Sequence, residues 1–452
     1  MGPAMDARRQ SWLVGLCAAF LAVGAQAETY RADAAVAYAL AHNPNLKAGR
    51  EQVAAAGARA RAEEGVRLPQ IDARYLARRS DNPLDVFADK LNTRSVDPAT
   101  DFGADTLNHP GASTLHNAAV VLEWPVYSGG RQAAGIRAAQ QNEQAAVLGH
   151  ERLREVIAFQ ALSAYRRAQA AEAGVALAED ALRAARQHAA TTARLLAQNR
   201  IVPSDKLSAE VYLSLVESQR ERALTRQLSA LTQLKGIMGL PFDIPLELER
   251  WDENGFTAAG IAALADLESR AVERRRDVAA ERALLEAARS RVGSARAANK
   301  PNVSVFAAEN WYDDTFGLDN KSFSVGAAVR LNLYSGGRDQ EQIRAAQHDA
   351  NEREQRLEAL LQQVRQEVRE AYYALAEARA RVGISADNAG KAQRTVDLVR
   401  GRYGEGRTIL IDLLQAERVL VEARSERLAA ALDLALAAAS LQLAGGALAL
   451  PE

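Results

Sequence analysis

Side-chain types suited to chemistry are scarce in this sequence, and none is grouped for it. Ser128-Gly129-Gly130-Arg131 and Ser335-Gly336-Gly337-Arg338 are glycine-rich and each opens a helical run, where a phosphate would be cradled. Each has only two adjacent glycines and no following Lys-Ser/Thr, so the spacing predicts a tight strand-to-helix junction instead. The histidines, His42, His109, His116, His150, His188 and His348, show no ligand spacing, and no nucleophile lies beside a base. The single cysteine, Cys17, supplies neither a disulfide nor a thiolate metal site. This pattern argues against an enzyme and gives no sign of a metal or cofactor. Asp313 and Asp314 read as solvated loop residues. Asp205 and Asp412 fall just after turns between helical runs, where a carboxylate complements the N-terminal end of the returning helix.

A duplicated architecture must position these segments. Tyr127-Ser128-Gly129-Gly130-Arg131 returns 207 residues later as Tyr334-Ser335-Gly336-Gly337-Arg338, and the offset then holds without a gap. Residues 136–140 match 343–347, Tyr165 matches Tyr372, Arg200 matches Arg407, Asp205 matches Asp412, and Gly239 matches Gly446. Upstream the offset is 232, with Asn43-Pro44 set against Arg275-Arg276 and Leu68-Pro69 against Lys300-Pro301. The first copy therefore carries 25 extra residues between Pro69 and Tyr127. Residues 80–117, rich in Asn, Asp, Thr and Pro, read as a long exposed loop.

The units are a leader (1–27), a first repeat (28–240), a linker (241–260) and a second repeat (261–452). Each repeat reads as helix, β-hairpin, long helix and return helix. Asn43 caps the first helix with Pro44 at its first position, and Pro69 or Pro301 ends the opening helix of each copy. The hairpins cover about 70–127 and 302–334, the long helices about 131–199 and 338–402, and the return helices about 204–239 and 411–443. Phe323, Val325, Ala327, Val329, Leu331 and Leu333 alternate with small or polar residues, giving a strand with one apolar face. That face would cover a soluble core or meet lipid; periodicity alone does not separate the two. Trp124 and Tyr127 end the first hairpin where an interfacial girdle would fall. Leu357, Leu361, Val364, Val368, Tyr372, Leu375, Ala378 and Val382 form a coiled-coil seam, and Leu224, Leu228, Leu231 and Leu234 share a face. Gly404, Gly406 and Asn199 supply left-handed positions at the turns between helices.

Arg8-Arg9, the apolar stretch 12–23 and Ala25-Gln26-Ala27 form an export leader too short to span a membrane. Leu16 before Cys17 is unsuited to lipidation, so an exported, unlipidated chain is expected. With 56 basic and 57 acidic residues the charge is nearly balanced, which argues against a nucleic-acid partner. Aromatics at 5% and abundant alanine suit long, closely packed helices.

If the strands lie in a membrane, four cannot close a sheet whose edges lipid cannot satisfy, so chains must associate. Two copies would give eight strands with a filled interior, and three would give twelve with an aqueous lumen. Taken together, the paired YSGGR junctions, the Asn-Pro start, the Leu-Pro helix end and the turn segment 403–414 resemble the TolC family of outer-membrane efflux and secretion channels, from about residue 33 to 446. The resemblance implies a homotrimer with a twelve-stranded outer-membrane barrel continued by a periplasmic α-helical barrel. It also implies a periplasmic adaptor (membrane fusion) protein and an inner-membrane pump or ABC/RND-type transporter as partners. A periplasmic coiled-coil adaptor or scaffold would share the leader and long helices, but would not need two hairpins of lipid-suited alternation.

The resemblance also assigns residues. Asp412 matches a family aspartate lining the constricted periplasmic entrance, whereas the second aspartate of that pattern is Gln415 here. Tyr403 and Arg407 fall where the family's closed state is latched by hydrogen bonds, with Arg407 displaced by one position. Asp205 is the first-copy counterpart of Asp412. Asn199, Ile201, Val202, Pro203, Gly404, Gly406 and Leu410 are the expected adaptor-contact tips, and Gly129, Gly130, Gly336 and Gly337 the strand-to-helix junctions.

Overall fold

The computed structural model describes residues 29–252, 262–317 and 319–450. The expected leader and the later part of the linker lie outside the described residues. In chain order the elements of the first copy are β1 (Thr29–Tyr30), α1 (Ala32–His42), α2 (Pro44–Gly65), β2 (Gln70–Ser80), α3 (Pro83–Asn92), α4 (Ala104–Asn108), β3 (Ser113–Tyr127), α5 (Arg131–Ala197) and α6 (Pro203–Met238). There follow β4 (Glu247–Leu248), α7 (Leu264–Arg274), α8 (Arg276–Arg296), β5 (Asn302–Asp313), β6 (Asn320–Arg330), α9 (Arg338–Gly404) and α10 (Leu410–Ala444).

Both long helices, α5 and α9, run for 67 residues, roughly 100 Å at the rise of an α-helix. Each begins at a junction whose two glycines are left-handed: φ is 64° and 91° at Gly129 and Gly130, and 68° and 83° at Gly336 and Gly337. Only glycine adopts two such angles in succession at little cost. Asn43 caps α2 as the Asn-Pro pair requires, its side chain accepting from the Asn45 amide at 2.9 Å. The α9 seam is realised: Val364, Val368, Leu375 and Ala378 are buried, with Leu357, Leu361 and Val382 packed beside them. On α6 the expected leucine face splits, with Leu234 in the core and Leu228 exposed.

A core partway along α5, well away from the four long strands, gathers Leu46, Ile157, Tyr165, Leu234 and Met238. The Tyr165 hydroxyl donates to the Tyr30 carbonyl at 2.7 Å, tying the parallel pair β1–β4 to α5. α10 contains an 18-residue stretch apolar enough to cross a membrane by length and composition. It packs instead along α9, with Leu428, Ala430, Ala431 and Leu434 buried.

The four long strands form one antiparallel sheet in the order β2-β3-β5-β6, so both outer strands have an unpaired edge. The register sorts its side chains onto an apolar face and a more polar one, the latter also holding Leu76, Val121 and Tyr312. One face carries Ile71, Ala73, Val120, Leu122, Val305, Ala307, Phe323, Val325 and Val329. Trp124 and Tyr127 lie at its helix end and Tyr75 and Trp311 toward its loop end, and Glu309 is the one carboxylate between these aromatic levels. The other face carries Asp72, Arg74, Asn117, Asn310, Ser322, Ser324 and Gly326. Phe306 covers Gly326, where an added Cβ would meet its ring at 2.6 Å.

Three expectations need correction. The insertion is not a simple exposed loop: α3 and α4 fold within it, because Asn82-Pro83 repeats the cap-and-proline start of α2 and Arg78 supplies a partner for Asp85 and Asp89. β6 stops at Arg330, not at Leu333, because β5 begins opposite it at Asn302 and residues 331–334 find no partner strand. Gly404 is the last residue of α9 and is not left-handed; Gly406 is, at φ 71°.

Candidate functional site

The turns at the far ends of the long helices bring the candidate residues together, and the two turns share one backbone. In the first, Asn199 takes φ 52° and the Arg200 amide donates to the Leu195 carbonyl at 2.9 Å. In the second, Gly406 takes φ 71° and the Arg407 amide donates to the Arg402 carbonyl at 2.8 Å. Both are Schellman closures, and asparagine is the side chain that tolerates the left-handed position most readily after glycine. Val202 and Ile409 then cap the return helices in the same extended conformation.

Exposure separates the expected tip residues. Asn199, Val202, Pro203, Gly404 and Gly406 are exposed and Ile201 is half-buried. Leu410 is a correction: at 3% exposure it packs with Ala209, Leu414, Tyr212 and Tyr403 and is not available for contact. The apolar side chains on the surface there are Val202, Ile409 and Ile411.

Asp412 and Gln415 are both exposed on the first turns of α10, and Asp412 accepts from the Thr408 hydroxyl at 2.5 Å. Asp205, half-buried, occupies the matching first turn of α6. Tyr403 lies in the apolar cluster, and burial followed by the nearby Asp205 charge pushes its phenol up. Arg407 pairs with Glu405 at 3.0 Å and points to solvent. A cleft of about 630 Å³ opens between the turns, lined by His188, Arg200, Asp205, Arg400, Tyr403 and Thr408.

One polar cluster below this cleft is not among the expected residues. Glu417 of α10 is buried and meets the Arg400 guanidinium of α9 at 2.6 Å and the His188 ring of α5 at 3.4 Å. Burial alone would raise the Glu417 carboxyl, but hydrogen bonds from His188 and Arg400 outweigh it and hold the group below the usual carboxylate range. Tyr212 of α6 is half-buried, and that burial, with the Glu417 charge beside it, pushes its phenol up to about 12. The signal was present in the sequence. Leu410, Leu413, Leu414 and Leu420 mark an apolar stripe, and Glu417 interrupts it at helical spacing.

No group of three His, Cys, Asp or Glu side chains among the described residues is arranged to hold a metal. The arrangement consists of four helices, two turns, a polar cluster beneath them, and a sheet with one apolar face at the opposite end.

Such a chain, with open-edged strands at one end and two long helical hairpins at the other, has the architecture of an outer-membrane channel protomer. It belongs to the outer membrane efflux protein family, whose profile matches residues 35–240 and 267–447. The chain is 26% identical over 318 residues to the alkaline protease secretion protein AprF of Pseudomonas aeruginosa, a match covering 67% of this chain and 64% of that one. It is 28% identical over 348 residues to the protein CyaE of Bordetella pertussis, covering 73% and 70%. The chain thus spans somewhat under two thirds of AprF. Among solved structures it superposes on CusC with a TM-score of 0.79 at 18% identity, covering 92% of both chains. On the outer membrane protein VceC of Vibrio cholerae the TM-score is 0.76 at 19% identity, covering 92% and 96%. The TolC-family resemblance read from the sequence is thereby established.

Proposed function

We propose that the chain is one third of a trimeric outer-membrane channel of a tripartite export system, a passive conduit from an inner-membrane pump and periplasmic adaptor to the outside. The observation that carries this reading is the four-stranded sheet with two open edges and one apolar face between aromatic levels. Tyr127 pairs with Val303, and Val303 to Trp311 covers nine residues of β5, the length a tilted strand needs to cross the lipid core. Lipid cannot satisfy the edges of β2 and β6, so neighbouring copies must pair with them. Twelve strands from three copies leave a water-filled lumen, whereas eight would be filled by side chains. An adaptor or scaffold gives the apolar sheet face no role.

The leader is cleaved, the chain carries no lipid, and energy comes from the pump. In the trimer Asp412 faces the axis at the periplasmic entrance, and three copies crowd their charges there. Tyr403 and Arg407 contribute to the closed state, and the exposed tips meet the adaptor. Purified trimers in planar bilayers test this: Asp412→Ala should lower cation selectivity and weaken block by multivalent cations, and Arg407→Glu should raise resting conductance. Unchanged selectivity and block would remove the entrance role of Asp412; unchanged conductance would remove the latch. Val202→Asp or Ile409→Asp should abolish export while leaving membrane assembly intact, and retained export would move the adaptor contact elsewhere.

A further inference from the structure

The insertion in the first hairpin folds over one side of the sheet, and the register identifies the side. Ser80 pairs with Ser113 and Arg78 with Leu115, which places all four on the polar face with Asn117, Asn310 and Ser324. The side-chain contacts that hold α3 down are made to this face. Arg78 reaches Asp85 at 2.8 Å and Asp89 at 2.6 Å, the Ser113 hydroxyl donates to Asp89 at 2.8 Å, and Asp89, Val86 and Leu115 are buried. Beyond α3 the chain turns at Arg94, whose φ is 55°, and the Arg94 guanidinium donates to the Lys321 carbonyl of β6 at 3.2 Å. The insertion thus reaches from β2 and β3 to the opposite edge strand. Its second layer is fastened by the Lys90–Asp101 ion pair and an edge contact of Phe87 on Phe102 at 5.9 Å. Among the described residues of the shorter β5–β6 connection, no helix corresponds to α3 or α4.

In a closed barrel the polar face looks into the lumen, and the hairpin loops lie at the end away from the long helices. We propose that residues 81–112 are an inward-folded cap that narrows the outer mouth of the channel and sets the upper size of what leaves it. This rests on the trimeric-channel reading. The cap is held to the wall it covers by Arg78, which pairs with the buried Asp89 and the half-exposed Asp85, and by the Ser113–Asp89 hydrogen bond, so it is a built constriction and not a passing loop. Pore width at the narrowest ring decides passage, and here that ring would lie at the exit as well as at the helical tips.

The test uses Ser324→Cys, a lumen-face position in a chain whose own cysteine, Cys17, lies in the leader. Whole cells are labelled from outside with a small charged thiosulfonate and, separately, with a polymer-linked maleimide. The small reagent should label the full-length chain, and the polymer should label it at least about tenfold more slowly than a variant whose residues 81–112 are replaced by a short turn. Arg78→Gln, which loosens this hold without deleting the cap, should lie between the two and serves if the shortened chain does not assemble. Equal polymer rates in all assembled forms would overturn the cap while leaving the channel. Failure of the small reagent in assembled protein would overturn the channel reading and the cap with it.

Discussion

The opening helices of the two copies meet at the same bend, built with different chemistry. In the first, Asn43 caps α2 and its amide donates to the Ile237 carbonyl at 2.7 Å. In the second, Arg275 occupies the matching position, 3% exposed, and chelates Asp277 at 2.6 and 3.0 Å while pairing with Glu367. A left-handed glycine lies against each bend: a Cβ on Gly239 would stand 3.1 Å from the His42 carbonyl, and one on Gly446 would stand 3.2 Å from the Arg275 amide. Duplication has kept the backbone path and the glycine that permits it. The means of satisfying the buried polar groups has been free to change from a neutral amide to an ion network. What the copies share therefore reports geometry, and what they do not share reports where each carries its own burden.

The comparison is broken most severely at Arg275. Arg275→Ala leaves Asp277 and Glu367 facing an empty buried site and should cost about 3–5 kcal/mol, against about 1–2 kcal/mol for Asn43→Ala, which loses a cap and one hydrogen bond. Heat unfolding followed by helical circular dichroism measures both, and equal losses would show that the ion network adds nothing over the amide.

The turns give the next contrast. Leu410→Ala empties a buried site and should cost about 2–4 kcal/mol, whereas Pro203, its exposed counterpart, should tolerate alanine with a loss well below that. Comparable melting shifts would contradict the assignment of Leu410 to the core of the tip.

At the junctions, Gly129→Ala places a Cβ 2.6 Å from that of Lys300, while Gly336→Ala meets nothing within 4 Å. Both pay about 1 kcal/mol for the left-handed backbone, and the first should lose a further 1–3 kcal/mol or so through displacement of its neighbour. Yield of assembled protein in membranes ranks them, with Gly129→Ala the lower.

The smallest effect is a pH dependence at Glu417. Glu417 is buried with its carboxyl held low, while its counterpart Glu210 lies exposed beside Lys206 at 3.1 Å. A group depressed on folding contributes stability that is present above its unfolded value of 4.5 and is lost as pH falls through the lower folded value. Acidification below about pH 4.5 should therefore lower the melting temperature less in Glu417→Gln than in the unaltered chain. An identical acid response in Glu417→Gln would remove that contribution.

Local signals were legible in the sequence wherever one residue type dictates one backbone. The Ser-Gly-Gly junctions, the Asn43 cap, the seam on α9 and the left-handed Asn199 are of this kind. Legibility failed where tertiary partners decide. The insertion looked like loop because its polar residues, Asp85, Asp89 and Asp101, are satisfied by Arg78 and Lys90 from outside their own helical turn. α1 and α7 are short helices that precede the Asn43 and Arg275 bends, and the β1–β4 pair joins segments more than two hundred residues apart, beyond any periodicity. Leu410 was read as exposed because Tyr403 and Ala209, which cover it, come from α9 and α6. Glu417 breaks an apolar stripe of α10, but its partners Arg400 and His188 come from α9 and α5, which the sequence of α10 alone does not place beside it.

The central claim is that open sheet edges are closed by copies of the same chain, three to a ring. Its most direct test is the native mass of the protein extracted from outer membranes in mild detergent, corrected for bound detergent. Three chains per particle are expected. A monodisperse monomer that stays in solution without detergent would leave the apolar sheet face without lipid and the edges of β2 and β6 without partners, and would contradict it.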